Sequence, residues 1–252
     1  MPRRARKDSQ SCFYHVIVQG INKEYIFEKE EFILCYKKII LEKLKDANIK
    51  VLAYCIMNNH AHLLIYAEKS EYLSKFMQKI NTKYSNYYNR IKKRVGYVFR
   101  DRFYSQSIMN ENQLLNCLKY IHMNPVKAKI IKTMDKYKYS SYNEFLNEKE
   151  IIDEEGIKLI FGDIKTYKEE FNKIHNNNLV VEGFIDIKEK CAEEFVLELK
   201  EKYGNNIQKL KNNKELFKKL INEARSETDI TIMELAQIFD ISKSAIWNYL
   251  NK

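Results

Sequence analysis

The chain has 252 residues, of which 45% are hydrophobic and 31% are charged, so it can bury a core and is not composed like a disordered tail. It contains no run of about 18 apolar residues, and its basic N-terminus lacks the apolar segment of a secretory signal. A cytoplasmic protein without a membrane span is therefore expected. The five cysteines are scattered without CxxC spacing, which disfavours a disulfide framework or a cysteine zinc site.

The net charge of +10 is unevenly distributed. Residues 1–147 hold 27 Lys and Arg against 13 Asp and Glu, whereas residues 148–252 hold 17 against 21. A basic excess confined to one part of a chain favours a nucleic-acid partner. A merely lysine-rich solvated surface is the alternative, and charge alone does not separate the two.

Hydrophobic periodicity predicts seven elements in the basic part of the chain. They are a strand over 12–21, a helix over 28–47, strands over 50–57 and 60–67, a helix over 71–93, a strand over 97–108 and a helix over 110–123. Asn58 and Asn59 supply a tight turn, and Asn110 is a candidate N-cap. The order predicts an α+β fold of ferredoxin-like or RNA-recognition-like plan, an antiparallel sheet with helices on one face and an open second face.

The composition changes near residue 147, where tyrosines become rarer and acidic residues more frequent. We therefore predict a domain over 1–147, closed by segment 137–146, and an all-α C-terminal region over 148–252. Residues 230–251 have the apolar rhythm of a helix-turn-helix, with Ser242 as the cap of its second helix. Such a motif commonly places a helix in the major groove of duplex DNA. A plain helical hairpin is the alternative.

Two of the five histidines, His60 and His62, lie on one predicted strand with Ala61 between them. Side chains at i and i+2 of a strand share a face, so the two imidazoles should project side by side. Leu63 and Ile65 share the face of Ala61, which places the histidines on the open side of the sheet. The pair favours metal binding over two structural histidines. Two ligands leave a cation incomplete, so a hard ion such as Mg²⁺ or Mn²⁺ could complete its shell with phosphate oxygens.

The predicted third helix offers Tyr120 as a covalent nucleophile. Its neighbour Lys119 and the basic surroundings would stabilise a phenolate and transition-state charge. The chain has 18 tyrosines, so composition alone does not single out Tyr120.

Three segments, "YCIMNNHAHLLI", "GYVFRDRFYSQSI" and "YIHMNPVKAKII", together resemble the REP-associated tyrosine transposases, a branch of the single-tyrosine HUH transposases and nucleases. "HAH" is similar to the HUH signature, with alanine in place of a larger apolar residue. "SSYNEFL" resembles the closing Trp-Ser-Ser-Tyr segment, with Tyr139 in place of tryptophan. The resemblance covers roughly residues 10–147.

The resemblance implies that His60 and His62 bind a divalent ion, Mg²⁺ or Mn²⁺. Tyr120 would attack a phosphodiester of single-stranded, hairpin-bearing DNA and form a 5′-phosphotyrosine link. Asn124 occupies the place of the third ligand, one helical turn after Tyr120. Because the residue before a proline avoids the α region, Pro125 leaves open that the helix ends at Met123 and that Asn124 caps a second one.

Several basic residues are candidate DNA contacts. Arg100 and Arg102 share one face of the predicted fourth strand and could bind phosphates. A basic N-terminal arm and the third helix supply further candidates. These are Arg3, Arg4, Arg6, Lys119 and Lys127. The C-terminal helix-turn-helix would add a contact to duplex DNA, and a monomer and a homodimer are both compatible with the sequence.

Other interpretations remain open. A non-catalytic nucleic-acid binder or transcription regulator would use an RNA-recognition-like sheet and the helix-turn-helix, but it needs neither the histidine pair nor Tyr120. A hydrolase would nick DNA through metal-activated water. A replication initiator or conjugative nickase of the same superfamily is a further alternative, which the lack of a second adjacent tyrosine in the third helix disfavours.

Overall fold

The computed structural model describes residues 10–177, 184, 192–204, 207–227, 230 and 232–250. The chain divides into two compact units, Met1–Ile185 and Asp186–Lys252. The division lies after residue 185, later than the predicted boundary after residue 147. Within the described residues, no helix is both long and apolar enough to cross a bilayer.

The first unit is built on a four-stranded antiparallel sheet, and its elements follow the predicted β-α-β-β-α-β order. The elements are β1 (Phe13–Gln19), α1 (Glu30–Leu44), β2 (Ile49–Ile56), β3 (His60–Ala67), α2 (Ser70–Lys92) and β4 (Tyr104–Ser107). The strands lie in the order β2-β3-β1-β4, and α1 and α2 pack against each other and contact the sheet.

The register between β1 and β3 decides which side chains share a face of the sheet, because directly opposite residues point the same way. Gln19 lies opposite His60, Ile17 opposite His62, and His15 opposite Leu64. One face therefore carries three histidines in a row, two from β3 and one from β1. The alternate residues of the same strands, including Val16 and Leu63, are apolar and buried.

Helix α3 (Glu111–Lys127) covers the histidine face. It contacts β2 and β3, and the ring centroid of Tyr120 lies 5.5 Å from that of His62. His60 and His62 are consequently fully buried. The expectation of an open sheet face was wrong, because a helix from beyond the fourth strand returns to pack on it.

The predicted N-terminus of α3 is confirmed, whereas its predicted C-terminus is corrected. Asn110 caps the helix, since its side-chain oxygen accepts a hydrogen bond from the backbone N–H of Gln113 at 2.9 Å. Asn124 does not cap a second helix, because α3 continues through Pro125 to Lys127. A proline removes one backbone donor, a small loss so close to the end of the helix.

The predicted strand over 97–108 is shorter than expected, because only Tyr104–Ser107 pair regularly. The preceding residues run beside the end of β1 through isolated bonds, such as Arg100 N–H to the carbonyl of Gln19 at 2.8 Å. Local side-chain bonds replace the ladder. The backbone N–H of Arg102 donates to Asp101 Oδ1 at 2.7 Å, and its carbonyl accepts from Asn81 Nδ2 at 3.0 Å.

Residues 148–177 belong to the first unit, and a buried carboxylate anchors their start. The carboxylate of Glu144 accepts backbone N–H bonds from Glu150, Ile151 and Ile152 at 2.8–3.0 Å, and also accepts from the Tyr54 hydroxyl. Glu144 lies on α4 (Tyr142–Leu146), and the helices that follow are α5 (Glu154–Phe161) and α6 (Tyr167–Asn176). Their apolar faces join the same core as the sheet.

The second unit has a separate apolar core in which Phe217, Leu235 and Phe239 are fully buried. Its helices are α7 (Ala192–Tyr203), α8 (Lys214–Glu227), α9 (Ile232–Phe239) and α10 (Lys243–Leu250). Ser242 caps α10 as expected, its hydroxyl accepting from the N–H of Ala245 at 3.2 Å. The use of α9 and α10 as a DNA-binding helix-turn-helix stays a prediction.

Candidate active site

The site is centred on the three buried histidines of the sheet. His60 Nδ1 lies 2.5 Å from the side-chain oxygen of Asn59, and His62 Nδ1 lies 3.0 Å from His15 Nε2. The Nε2 atoms of His60 and His62 are buried and have no hydrogen-bond partner among the described residues. Within the described residues, one ring nitrogen of His60 and one of His62 are thus available to a ligand.

Burial keeps these imidazoles neutral. It lowers the pKa of His15 and of His60 to about 3. Burial also lowers the pKa of His62 well below its ordinary value, and nearby His60, His15 and Lys127 act in the same direction. A neutral imidazole has a lone pair on one nitrogen, which is the form that binds a cation.

Tyr120 projects from α3 onto the same cluster. Its ring meets the rings of His62 and His15 edge-on, at centroid distances of 5.5 and 5.6 Å and interplanar angles of 87° and 80°. Lys127 Nζ lies 4.5 Å from the centre of the tyrosine ring. The ring of Phe184 packs against the tyrosine at 5.2 Å. Tyr120 is therefore the tyrosine that α3 brings to the histidine pair.

Asn124 follows Tyr120 by one helical turn and is buried. Its Nδ2 donates to the carbonyl of Tyr120 at 2.9 Å. The amide oxygen takes no part in that bond, and it is the type of ligand atom that hard cations prefer.

The residues present fit a divalent cation through two nitrogens and one oxygen. The described residues contain no group of three or more His, Cys, Asp or Glu side chains arranged to hold a metal. The fit therefore depends on the buried Nε2 atoms of His60 and His62, which have no hydrogen-bond partner in the described ranges, together with the amide of Asn124.

His122 lies two positions from Tyr120 and points away from the site, as its helical position predicts. Its Nε2 lies 2.8 Å from the Ser141 hydroxyl, and its Nδ1 lies 2.9 Å from His175 Nε2. His175 Nδ1 donates to the carbonyl of Phe171 at 2.8 Å. All five histidines are thus buried, in two clusters on different sides of α3.

The predicted basic contacts are placed very differently. Arg100 and Arg102 are exposed and line a groove of about 830 Å³ beside α2. Lys127 lies against Tyr120, whereas Lys119 is buried and donates to the carbonyl of Asn177, which argues against a DNA contact. The predicted arm residues lie outside the described part of the chain. They are Arg3, Arg4 and Arg6.

Sequence reasoning missed His15 and Gln19, which share the face of the histidine pair. Gln19 lies opposite His60, and its side-chain oxygen accepts from Arg100 Nη1 at 3.5 Å. Strand alternation in "FYHVIVQ" places both residues on one face, but only the pairing of β1 with β3 shows that it is the face of His60 and His62.

Sequence comparisons with known proteins find two matches. Residues 8–124 match the family described as transposase IS200 like. A protein of Haemophilus influenzae described as a REP-associated tyrosine transposase is 28% identical over 142 residues, which cover 52% of this chain and 78% of that protein.

The fold also has a counterpart among solved structures. The structure of a REP-associated tyrosine transposase bound to a REP hairpin matches with a TM-score of 0.50 at 14% identity. The match covers 74% of this chain and all of that one, and it supports the fold. The predicted resemblance to REP-associated tyrosine transposases is thereby confirmed, and the family match covers residues 8–124 of this chain.

Proposed function

We propose that the first unit cuts and rejoins single-stranded DNA through a covalent bond to Tyr120. The observation that carries the proposal is the position of the Tyr120 ring, whose centroid lies 5.5 Å from that of His62, beside two buried Nε2 atoms that have no hydrogen-bond partner in the part of the chain that the structure describes. A purely structural cluster would be expected to satisfy those nitrogens internally, because buried polar atoms are normally hydrogen-bonded.

Tyr120 would act as the nucleophile. A bond forms from its hydroxyl oxygen to the phosphorus of the scissile phosphodiester, and the bond from phosphorus to the 3′ oxygen breaks. The phenol loses its proton, and the departing 3′ oxygen gains one to become a free hydroxyl. The 5′ phosphate stays on the tyrosine, so attack by a 3′ hydroxyl can reverse the step without ATP.

Lys127 would stabilise the negative charge that develops on the tyrosine oxygen and the phosphate. Its ammonium already lies 4.5 Å from the centre of the Tyr120 ring. Lys127 is exposed whereas Tyr120 is buried, so solvent screens part of this attraction and it is weaker than that of a fully buried ion pair.

His60 and His62 through Nε2, and Asn124 through its amide oxygen, would hold Mg²⁺ or Mn²⁺, which supplies Lewis-acid polarisation of the phosphate. The Asn59 side chain would fix the orientation of the His60 ring, since its oxygen accepts from Nδ1 and so leaves Nε2 with the lone pair.

A hairpin-bearing DNA strand is the proposed substrate. The matched solved structure is described as bound to a REP hairpin, and the basic excess of this chain lies in residues 1–147. Arg100 and Arg102, exposed along the groove beside α2, are the candidate phosphate contacts within the described residues of this unit.

The test uses the full chain, a labelled single-stranded hairpin oligonucleotide and Mn²⁺. A protein–DNA adduct that survives denaturation is expected for the wild type and for Tyr104→Phe, and is expected to be lost in Tyr120→Phe and in EDTA. Tyr104 is a matched control because it is a tyrosine on the same face of the sheet, opposite Ile17.

Three results would contradict the proposal. An adduct that persists in Tyr120→Phe would rule out Tyr120 as the nucleophile. Cleavage without an adduct would indicate hydrolysis by activated water. Binding that survives EDTA and His60→Ala, with no cleavage, would indicate a non-catalytic nucleic-acid binder.

A further inference from the structure

We infer that His15 is a positioning residue that fixes the tautomer and the ring orientation of His62. The inference rests on the proposed function for its purpose, but it concerns a hydrogen bond that can be measured without DNA. His15 lies on β1, some 45 positions from the histidine pair in sequence, and it reaches the pair through the β1–β3 register.

The rings of His15 and His62 are hydrogen-bonded to each other and lie nearly parallel. His15 Nε2 lies 3.0 Å from His62 Nδ1, the ring centroids are 5.2 Å apart, and the planes differ by only 10°. Both side chains are fully buried, so water does not compete for the bond. The contact therefore holds the His62 ring in an orientation in which Nδ1 is bonded to His15 and Nε2 takes no part in that bond.

Only one proton can occupy the bond between two neutral imidazoles. If His62 Nδ1 donates, His62 Nε2 has the lone pair and can bind a cation. If His15 Nε2 donates instead, His62 carries its proton on Nε2 and cannot bind one. The tautomer of His15 thus decides whether His62 is a ligand, and the lone pair of His15 Nε2 must face His62.

The two candidate ligand histidines differ in the group that is hydrogen-bonded to Nδ1. His60 is held by Asn59, whose side-chain oxygen can only accept. His62 is held by a group that can either accept or donate, and whose other nitrogen, Nδ1, has no partner among the described residues. His15 would accept from His62 as Asn59 accepts from His60. Hydrogen-bond partners of metal-binding histidines typically fix the tautomer and the orientation of the ring.

The substitution His15→Phe keeps a ring of similar shape and removes the acceptor. His15→Gln keeps an acceptor atom at the same number of bonds from the backbone as Nε2, but on a flexible side chain. The matched control is His175→Phe, which breaks the other buried histidine pair, His122–His175, whose nitrogens are 2.9 Å apart. That pair lies on the other side of α3, so its loss should destabilise the fold without affecting the sheet histidines.

The first measurement is ¹⁵N nuclear magnetic resonance of the histidine side chains in the full chain without added metal. The expected result is that His62 carries its proton on Nδ1 in the wild type and in His175→Phe. A His62 proton on Nε2 in the wild type would overturn the inference.

The second measurement is Mn²⁺ affinity by titration calorimetry, with circular dichroism to confirm folding. His15→Phe should weaken Mn²⁺ binding by about 10- to 100-fold, as for other outer partners of metal ligands. His15→Gln should recover part of the loss, and His175→Phe should bind as the wild type does. Wild-type affinity in a folded His15→Phe protein would overturn the inference.

The two proposals fail separately. If Tyr120 forms no adduct with DNA but His62 shows the expected tautomer and His15→Phe weakens Mn²⁺ binding, the proposed function fails and the role of His15 remains. If the adduct forms but the tautomer of His62 is the opposite one, the role of His15 fails and the function remains.

Discussion

The ammonium of Lys127 lies 4.5 Å from the centre of the Tyr120 ring, two turns further along the same helix. This contact places a positive charge close to the ring whose hydroxyl is the proposed nucleophile. Because α3 also carries Asn124, a single helix carries the proposed nucleophile, a candidate ligand and a positive charge.

Replacing Lys127 by glutamine should slow adduct formation by about 10- to 100-fold, because the developing charge on the tyrosine oxygen loses its partner. Lys127→Arg should retain most of the rate, since it keeps the charge. Single-turnover rates with the hairpin oligonucleotide at saturating Mn²⁺ measure the effect. Equal rates for Lys127→Gln and the wild type would exclude the lysine from the chemical step.

Asn124 can be tested as a ligand separately from its bond to the backbone. Asn124→Asp keeps an oxygen ligand and loses the donor to the Tyr120 carbonyl, whereas Asn124→Ala loses both. If the oxygen binds the cation, Asn124→Ala should weaken Mn²⁺ binding and Asn124→Asp should retain or strengthen it. Calorimetric titration distinguishes the two. Weakening in both variants would assign the residue to the helix bond alone.

Glu144 should be essential for the stability of the first unit. Glu144→Ala removes the acceptor of three backbone N–H groups and of the Tyr54 hydroxyl, which we expect to cost roughly 3–5 kcal/mol of unfolding free energy. Chemical denaturation followed by circular dichroism measures the loss.

The matched control for Glu144 is the exposed Glu148. Glu148→Ala should change the free energy of unfolding by no more than about 0.5 kcal/mol. A chain cut after residue 147 removes the donors of Glu150 to Ile152 and should fail to give a stable first unit. A stable, folded 1–147 fragment would show that the later residues are not needed by the core.

The His122–His175 pair makes stability depend on pH. Burial lowers the pKa of His175 from 6.5 to about 4, so between these values the unfolded state binds a proton that the folded state does not. Stability contributed by neutral His175 is therefore complete above about pH 6.5 and is lost as the pH falls towards 4.

The pH effect of His175 is measured by comparing the wild type with His175→Phe. The unfolding free energy of the wild type should fall more steeply between pH 6.5 and 4, by about 1.4 kcal/mol per pH unit relative to the variant. Parallel pH profiles for the two proteins would indicate that His175 is solvated in the folded state.

Arg100 and Arg102 should contribute to DNA affinity through phosphate contacts. Changing either one to glutamine should weaken binding of the hairpin strand and lower the slope of log K against log salt by about 0.7 to 1. Lys83→Gln is the control, since the Lys83 ammonium is already paired with Glu42. The measurement is DNA affinity by fluorescence anisotropy at several salt concentrations. Unchanged slopes would show that Arg100 and Arg102 do not contact the phosphates.

Much of the fold could be predicted because its elements have strong local patterns. The alternation in β3 and the apolar period of α1 gave the correct element types, and Asn110 gave the start of α3. The predictions failed where a non-local contact decides the outcome. Residues 97–103 contain strand-forming residues, yet the carbonyl of Arg102 accepts from Asn81, 21 positions away on α2, instead of from a neighbouring strand.

The candidate site could be predicted only in part for the same reason. Two histidines at i and i+2 must share a face of a strand, whatever the tertiary structure. His15 belongs to another strand, and its place beside His62 depends on the β1–β3 register. Its bond therefore could not be derived from spacing.

The sequence by itself determined the same-face histidine pair, the helix that presents Tyr120 and Asn124 one turn apart, and the resemblance that is matched over residues 8–124. These follow from local backbone geometry and from motifs that lie within single elements. The tertiary structure decided that α3 buries the histidines, that His15 bonds to His62, and that Glu144 anchors the chain beyond residue 147. Each of these depends on contacts between groups on different elements, which come together only when the whole unit packs.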